Sequence, residues 1–233
     1  MTETGGALHR ELASVVLAGR ALSDVLTEIV GVARRGLPGA EASSITLIRD
    51  ERAFTAAYDG QMAMDADEIQ YEKGYGPCLD AGRAGTLFIV EDMRTEDRWP
   101  DYARRAAECG VGSSLSIPLP FQGASIGALN NYSTRPRAFG DADVASGQEV
   151  AAFVAIAVGN AEAAARASED VANMRRAMES RSAIEQAKGI LMERYKITAE
   201  QAFTLLTHAS QRSNVKLRDI AEELTTTGVL RGA

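Results

Sequence analysis

Arg181-Ser-Ala-Ile-Glu-Gln-Ala-Lys188-Gly189-Ile-Leu191-Met192, then Thr198-Ala-Glu-Gln-Ala-Phe203, then Ser210-Gln-Arg212-Ser-Asn214-Val-Lys216-Leu217, is the stretch that decides how this chain is organised. Ile184, Ala187 and Leu191 fall at helical spacing, and Thr198 with Gln201 makes a capping-box pattern that starts a second helix. That helix gathers Ala202, Leu205, Leu206 and Ala209 on one face. Leu217, Ile220, Ala221 and Leu224 repeat the spacing in a third helix, expected to end at Gly228. So few large apolar residues make a marginal core, which dimerisation through a long first helix would supplement. Lys188, Arg212, Lys216 and Arg218 crowd cations onto the segment. Gly189 in mid-helix costs about 1 kcal/mol relative to alanine, so it calls for a reason: a closely packed helix or an approaching nucleotide. Cationic short helices without a nucleophile, metal or paired-carboxylate pattern point to a nucleic-acid-binding module rather than an enzyme site.

Working outward, charge is divided unevenly. The 233 residues carry a formal net charge of −7, which taken alone argues against nucleic acid as a partner. Residues 1–160 hold 14 Lys+Arg against 22 Asp+Glu, whereas residues 173–218 hold 9 against 4. The acidic part repels phosphate, so any nucleic acid belongs at the C-terminal end. Cys78 and Cys109 are too few for a disulfide scaffold, and His9 and His208 too few for a His-rich metal site. The best apolar run, Val150–Val158, is too short to cross a bilayer, and the N-terminus lacks the apolar core of a signal peptide. The expectation is a soluble, cytoplasmic protein.

Upstream, Leu22, Val25, Leu26, Ile29 and Ala33 predict one helix over roughly 8–35, closed by Gly36 and Pro38. Ser44–Arg49 and Ala53–Tyr58 read as a hairpin turning at Asp50-Glu51-Arg52. Thr86–Val90, Ser114–Leu119 and Ser125–Tyr132 read as three more strands, the last two joined at Gly123, with a helix over about Trp99–Cys109 before them. This order predicts an α+β domain with a mainly antiparallel sheet over residues 1–165, joined by a long helix, about 141–195, to an all-α three-helix domain over 166–233. On that helix Val171, Met174 and Met178 are spaced like seam positions, which fits either a parallel coiled-coil homodimer or packing within the chain.

The C-terminal motifs resemble the ANTAR family through Ala187, Lys188, Gly189, Met192, Ala202, Phe203, Ser210, Asn214, Lys216 and Leu217. The resemblance implies binding to paired RNA hairpins, one per subunit of a dimer, and transcription antitermination. RNA contact is assigned to Lys188, Ser210, Asn214 and Lys216, with Arg181, Arg212 and Arg218 added from charge alone. Phe203, Met178 and Met192 read as packing residues.

Tyr71-Glu-Lys-Gly74-Tyr-Gly76-Pro77-Cys78, Asp97-Arg98-Trp99-Pro100, Gly112-Ser113-Ser114 through Leu119, and Gly127 to Asn130 resemble the GAF family of sensory domains. The resemblance implies a pocket between sheet and connecting segments for a small molecule, with no ligand or cofactor identity attached to the fold. By position its lining is Tyr58, Tyr75, Cys78, Phe88, Trp99, Tyr102, Cys109 and Asn130. Of Asn130 and Asn131 only one is expected to face inward. Two other functions stay open: a DNA-binding regulator with a helix-turn-helix output, against which the turn between Ala209 and Lys216 reads as long, and a redox sensor or reductase using Cys78 with Cys109.

Overall fold

The computed structural model describes residues 3–16 and 19–231, in two compact units, Met1–Glu162 and Ala163–Ala233. The first unit is built on a five-stranded antiparallel sheet in the order β2-β1-β5-β4-β3, from β1 (Ala42–Arg49), β2 (Arg52–Asp59), β3 (Phe88–Val90), β4 (Ser113–Phe121) and β5 (Ala124–Ser133). Both hairpins turn in two residues that take positive φ, Asp50 and Glu51 in one and Gln122 and Gly123 in the other. This left-handed pair matches the twist of the flanking strands. β3 is shorter than its apolar run. Phe88 pairs with Ser116, so residue 86 would stand opposite Pro118, which has no N–H to offer. Pro118 and Pro120 therefore lie along a margin of β4 that β3 does not cover.

The helix expected over 8–35 is two helices, α1 (Glu3–Ser14) and α2 (Leu22–Gly36); residues 17 and 18 lie outside the described residues. Gly19, at φ +73°, breaks the helical course, and Leu8, Leu12 and Val15 join the core that Val25, Leu26 and Ile29 also enter. Two helices unforeseen in the sequence, α3 (Gln61–Lys73) and α4 (Pro77–Ala84), precede α5 (Pro100–Glu108). Their buried residues mix Ile69 and Leu79 with small or polar ones such as Ala63, Ala66, Asp67, Gln70 and Ala81, so no continuous apolar stripe marks them in the sequence. The punctuation of α4 was nevertheless present, with Pro77 at its first turn and Gly85 as a left-handed cap.

The sheet is covered on both sides. One face carries Ile45, Leu47, Leu115, Ile117 and Leu129, in one core with Ile29 and Val30 of α2 and Val150, Val154 and Val158 of α6 (Asp141–Tyr195). Asp143 anchors the start of α6 by accepting the backbone N–H groups of Gly39 and Gly140, both at 3.0 Å. An 18-residue window of α6 reaches mean hydropathy 1.3, enough to pass for a membrane span by length and composition alone. Val150, Val154 and Val158 are instead buried in the protein core. The other face carries Ser44, Thr46, Ser114, Ser116, Asn130 and Tyr132 beneath α3, α4 and α5.

In the second unit, Ala187 and Leu191 of α6 pack with Ala202, Leu206 and Ala209 of α7 (Ala199–Ser213) and with Ile220, Ala221 and Leu224 of α8 (Leu217–Thr227). The capping box is present: Thr198 Oγ1 accepts the Gln201 N–H, and Gln201 Oε1 accepts the Thr198 N–H. α8 ends at Gly228 in the left-handed region.

Candidate ligand site and nucleic-acid interface

The polar face of the sheet holds a closed network around Asp67, a fully buried carboxylate on α3. Its oxygens accept from Tyr132 Oη at 2.6 Å and Thr55 Oγ1 at 2.9 Å, with Asn130 Nδ2 at 3.4 Å and Thr46 Oγ1 at 3.5 Å. All of these donors are neutral. Burial outweighs them and pushes the Asp67 carboxyl up to about 6. The hydroxyl of Tyr71 closes the outer side, within 2.9 Å of Thr46 Oγ1 and 2.8 Å of Thr55 Oγ1. Gln70 joins two helices and the sheet: its Oε1 accepts the Cys78 N–H at 2.8 Å, satisfying an otherwise orphaned donor of α4, while its Nε2 lies 3.3 Å from Tyr132 Oη.

Among the described residues, four buried polar atoms around this network have no hydrogen-bond partner: Tyr102 Oη, Ser114 Oγ, Ser116 Oγ and Asn130 Oδ1. The Tyr102 hydroxyl lies close enough to that of Tyr132 to interact with it, which makes it the least isolated of the four. Ser116 stands directly opposite Asn130, and Ser114 opposite Tyr132, so the β4 and β5 orphans are neighbours on one sheet face. An unpaired buried polar group costs about 1–3 kcal/mol, so four together mark a place where something other than protein belongs.

Of the residues expected to line a pocket, Cys78, Tyr102 and Asn130 meet in this network, and Trp99 adjoins it with its indole N–H donating to Asp80 at 2.7 Å. Phe88 packs edge-on to Trp99 at 5.3 Å between ring centroids, and Tyr75 is half-buried against the same apolar cluster. Tyr58 is 46 % exposed near the end of β2, and Cys109 is exposed at the end of α5, so neither reaches the network. Cys78 is not on an open loop. It is buried in α4 against Thr46 and Asn130, and burial pushes its thiol up, away from the thiolate that redox chemistry needs. Asn130 and Asn131 are both buried, because the sheet is covered on both sides; Asn131 Oδ1 accepts from Ser43 at 2.9 Å on the apolar face. The sequence reading missed Asp67, Gln70, Tyr71, Tyr132 and the serines. The signal was an alternation, Ser44-Ile45-Thr46-Leu47 and Ser114-Leu115-Ser116-Ile117, which resembles a solvent-facing strand until α3 and α4 cover it.

In the second unit the candidate RNA residues divide into three kinds. Arg181, Arg212 and Lys216 are exposed, and among the described residues their side chains make no ion pair. Lys188 is held by both Glu185 oxygens at 2.9 Å, and Arg218 by its neighbour in α8, Asp219, at 2.8 Å. Ser210 and Asn214 build the turn: Ser210 Oγ donates to the Val215 carbonyl at 2.6 Å, and Asn214 caps α7 at φ +53°. The connection from α7 to α8 is only Asn214–Lys216, shorter than expected, so length does not separate it from a helix-turn-helix. Phe203 is 45 % exposed and Met192 37 %, which corrects their assignment to the core. A Cβ placed on Gly189 would meet nothing within 4 Å, so no helix of this unit needs that glycine. Backbone is left bare beside a shallow groove lined by Gln186, Ile190 and Thr225.

Residues 19–159 match the model of the GAF domain and residues 172–224 that of the ANTAR domain. The fold is shared with free methionine-R-sulfoxide reductase from Neisseria meningitidis, at 18 % identity and a TM-score of 0.54 over 70 % of this chain and 95 % of that one. It is shared equally with the GAF domain of an Acinetobacter phosphoenolpyruvate-protein phosphotransferase, at 18 % identity and a TM-score of 0.54 over 70 % and 97 %. A phycoerythrobilin-bound GAF domain from a cyanobacterial phytochrome aligns at 15 % identity and a TM-score of 0.53 over 68 % and 96 %. No curated protein matches the chain in sequence. A sheet sandwiched between α2 and α6 on one side and three short helices on the other, followed by three packed helices, agrees with both family models, and the chain belongs to the GAF family and carries a C-terminal ANTAR domain.

Proposed function

We propose that this protein is a signal-responsive transcription regulator of the cytoplasm: the GAF domain senses a small molecule, and the ANTAR domain binds paired RNA stem-loops in leader transcripts and promotes antitermination. The supporting observation is the pairing, in one chain, of a buried polar network with four unmet atoms and a domain whose Arg181, Arg212 and Lys216 hold no internal partner. Unpaired exposed cations are free to displace counterions from phosphate, whereas Lys188 and Arg218 must first leave a carboxylate. Exposed Phe203 and the bare backbone at Gly189 offer a ring and a flat surface to unpaired loop bases. Two stem-loops call for two copies. Val171, Met174 and Met178 are 67–68 % exposed at seam spacing on α6, an apolar stripe that a second copy of the chain would cover. No nucleophile–base pair accompanies the buried, protonated Cys78, so the GAF unit reads as a sensor rather than a reductase.

The test is a gel shift of the full chain with a two-hairpin leader RNA, a scrambled strand and duplex DNA. The two-hairpin RNA should win, and the Arg212→Ala/Lys216→Ala double variant should bind it about 10-fold or more weakly, with a shallower salt dependence. The three-residue turn between α7 and α8 favours one competing reading, a helix-turn-helix contact with DNA, and preference for the duplex would replace our proposal with it.

A further inference from the structure

The network in the GAF domain states what chemistry its ligand must bring. Asp67 is a carboxylate with no counter-ion: among the described residues no Lys, Arg or His pairs with it, and its partners are hydroxyls and one amide. The Asn130 amide turns its nitrogen toward Thr46 Oγ1 and Cys78 Sγ at 3.1 Å, Ser44 Oγ at 3.2 Å and Asp67 Oδ1 at 3.4 Å; the first three can donate or accept, and the carboxylate, which only accepts, sets the orientation. Its Oδ1, left without a partner, can only accept. The remaining unmet groups, Ser114, Ser116 and Tyr102, are hydroxyls that can accept as readily as donate. The site therefore has a surplus of negative charge and at least one acceptor that no hydroxyl in the network serves.

We propose that this cluster binds a small molecule through a protonated primary amine, whose charge balances Asp67 and whose N–H groups serve Asn130 Oδ1 and the Ser116 hydroxyl opposite it. An ammonium has three donors and no acceptor, which suits a site rich in lone pairs. A quaternary ammonium supplies the charge but leaves Asn130 Oδ1 unmet. A carboxylate or phosphate would place like charge beside a buried carboxylate. Tyr102 and Tyr132 beside the network suit an amine borne on a compact organic body, since aromatic rings attract cations; Trp99 already carries the Arg98 guanidinium 4.6 Å from its ring centroid. The inference rests on reading the GAF domain as a sensor, and it goes further by fixing the class of what is sensed.

The experiment uses the full chain, with melting temperature and calorimetric titration as readouts. The probes are ethanolamine and putrescine as primary amines, choline as the quaternary cation, ethylene glycol as the neutral counterpart and propionate as the anion. Saturable binding of a primary amine is expected, weaker or absent for choline, and absent for glycol and propionate. Asp67→Asn should weaken that binding about 10-fold or more, as the loss of a charge-assisted bond requires. Ser116→Ala should weaken it by a smaller factor while leaving the fold intact, so a misfolded Asp67 variant would not hide the answer. Equal binding of glycol or propionate to the parent and to Asp67→Asn overturns the amine, as does failure of every primary amine. A small-molecule cell extract separates the two readings. Stabilisation that survives removal of amines from the extract leaves a sensor for another class, whereas a complete extract that changes neither melting temperature nor RNA affinity removes the sensor as well.

Discussion

Ser116 and Ile117 are neighbours in β4, both buried, and they belong to different machines. Ile117 packs into a face dominated by Ile45, Leu115 and Leu129 under α2 and α6, where even the polar pair Ser43 and Asn131 satisfies itself at 2.9 Å. Ser116 looks the other way, onto a face of hydroxyls, amides and one carboxylate in which four atoms have nothing to bond. The strand's alternation makes this division absolute, since each residue is committed to one face. One side of the sheet is built to be stable and the other to be incomplete, which is what a fold needs in order to bind without unfolding.

The comparison can be broken most forcefully on the apolar side. Ile117→Ala should cost about 2–5 kcal/mol in urea denaturation, because the cavity opens beneath α6, where Ile117 Cδ1 lies against Gly147. A cost below about 1 kcal/mol would mean that this face is not the scaffold. Next is Asp67. Its folded carboxyl is raised to about 6 from 3.8, so the folded state holds the proton more tightly than the unfolded state. Stability is therefore greatest below about pH 4 as far as this group is concerned, and falls as pH rises through about 6, by about 3 kcal/mol in all. The groups facing it, Tyr71, Tyr102, Tyr132 and Cys78, are all pushed upward and stay neutral across that window. Asp67→Asn should abolish this component of the slope in pH-resolved denaturation, and an unchanged profile would show that the carboxyl is not the group that titrates. Smallest is Ser116→Ala, expected to leave stability unchanged or raise it by up to about 1 kcal/mol, since the lost hydroxyl had no partner. A large loss would place a bond where none is described and erase the distinction between the faces.

Much of this arrangement was legible from residue order, and the failures have a common cause. Asp50-Glu51, Gly123, the Thr198 and Gln201 box and the Gly228 stop are local signals, and all sit where local reasoning puts them. The candidate site depended on which surfaces were covered, and coverage is not local. Ser44 and Thr46 alternate with Ile45 and Leu47 as on a half-exposed strand, and only α3 and α4, whose buried residues form no apolar stripe, turn that polar face into an interior. The same blindness ran in reverse at Phe203 and Met192, where apolar identity suggested burial and the three-helix unit proved too small to cover them. Tyr58 and Cys109 are candidates by position in the chain alone, and their exposure at the end of β2 and of α5 sets them apart from the polar network.

Pro118 and Pro120 have a consequence beyond shortening β3. An uncovered strand margin with a full row of N–H groups invites the sheet of another molecule to zip onto it, the first step toward fibrils. With the donors at these two positions missing, an incoming strand finds gaps in the ladder along that rim. The length of β4 beyond β3 thus offers an interrupted ladder, broken by two rings of carbon.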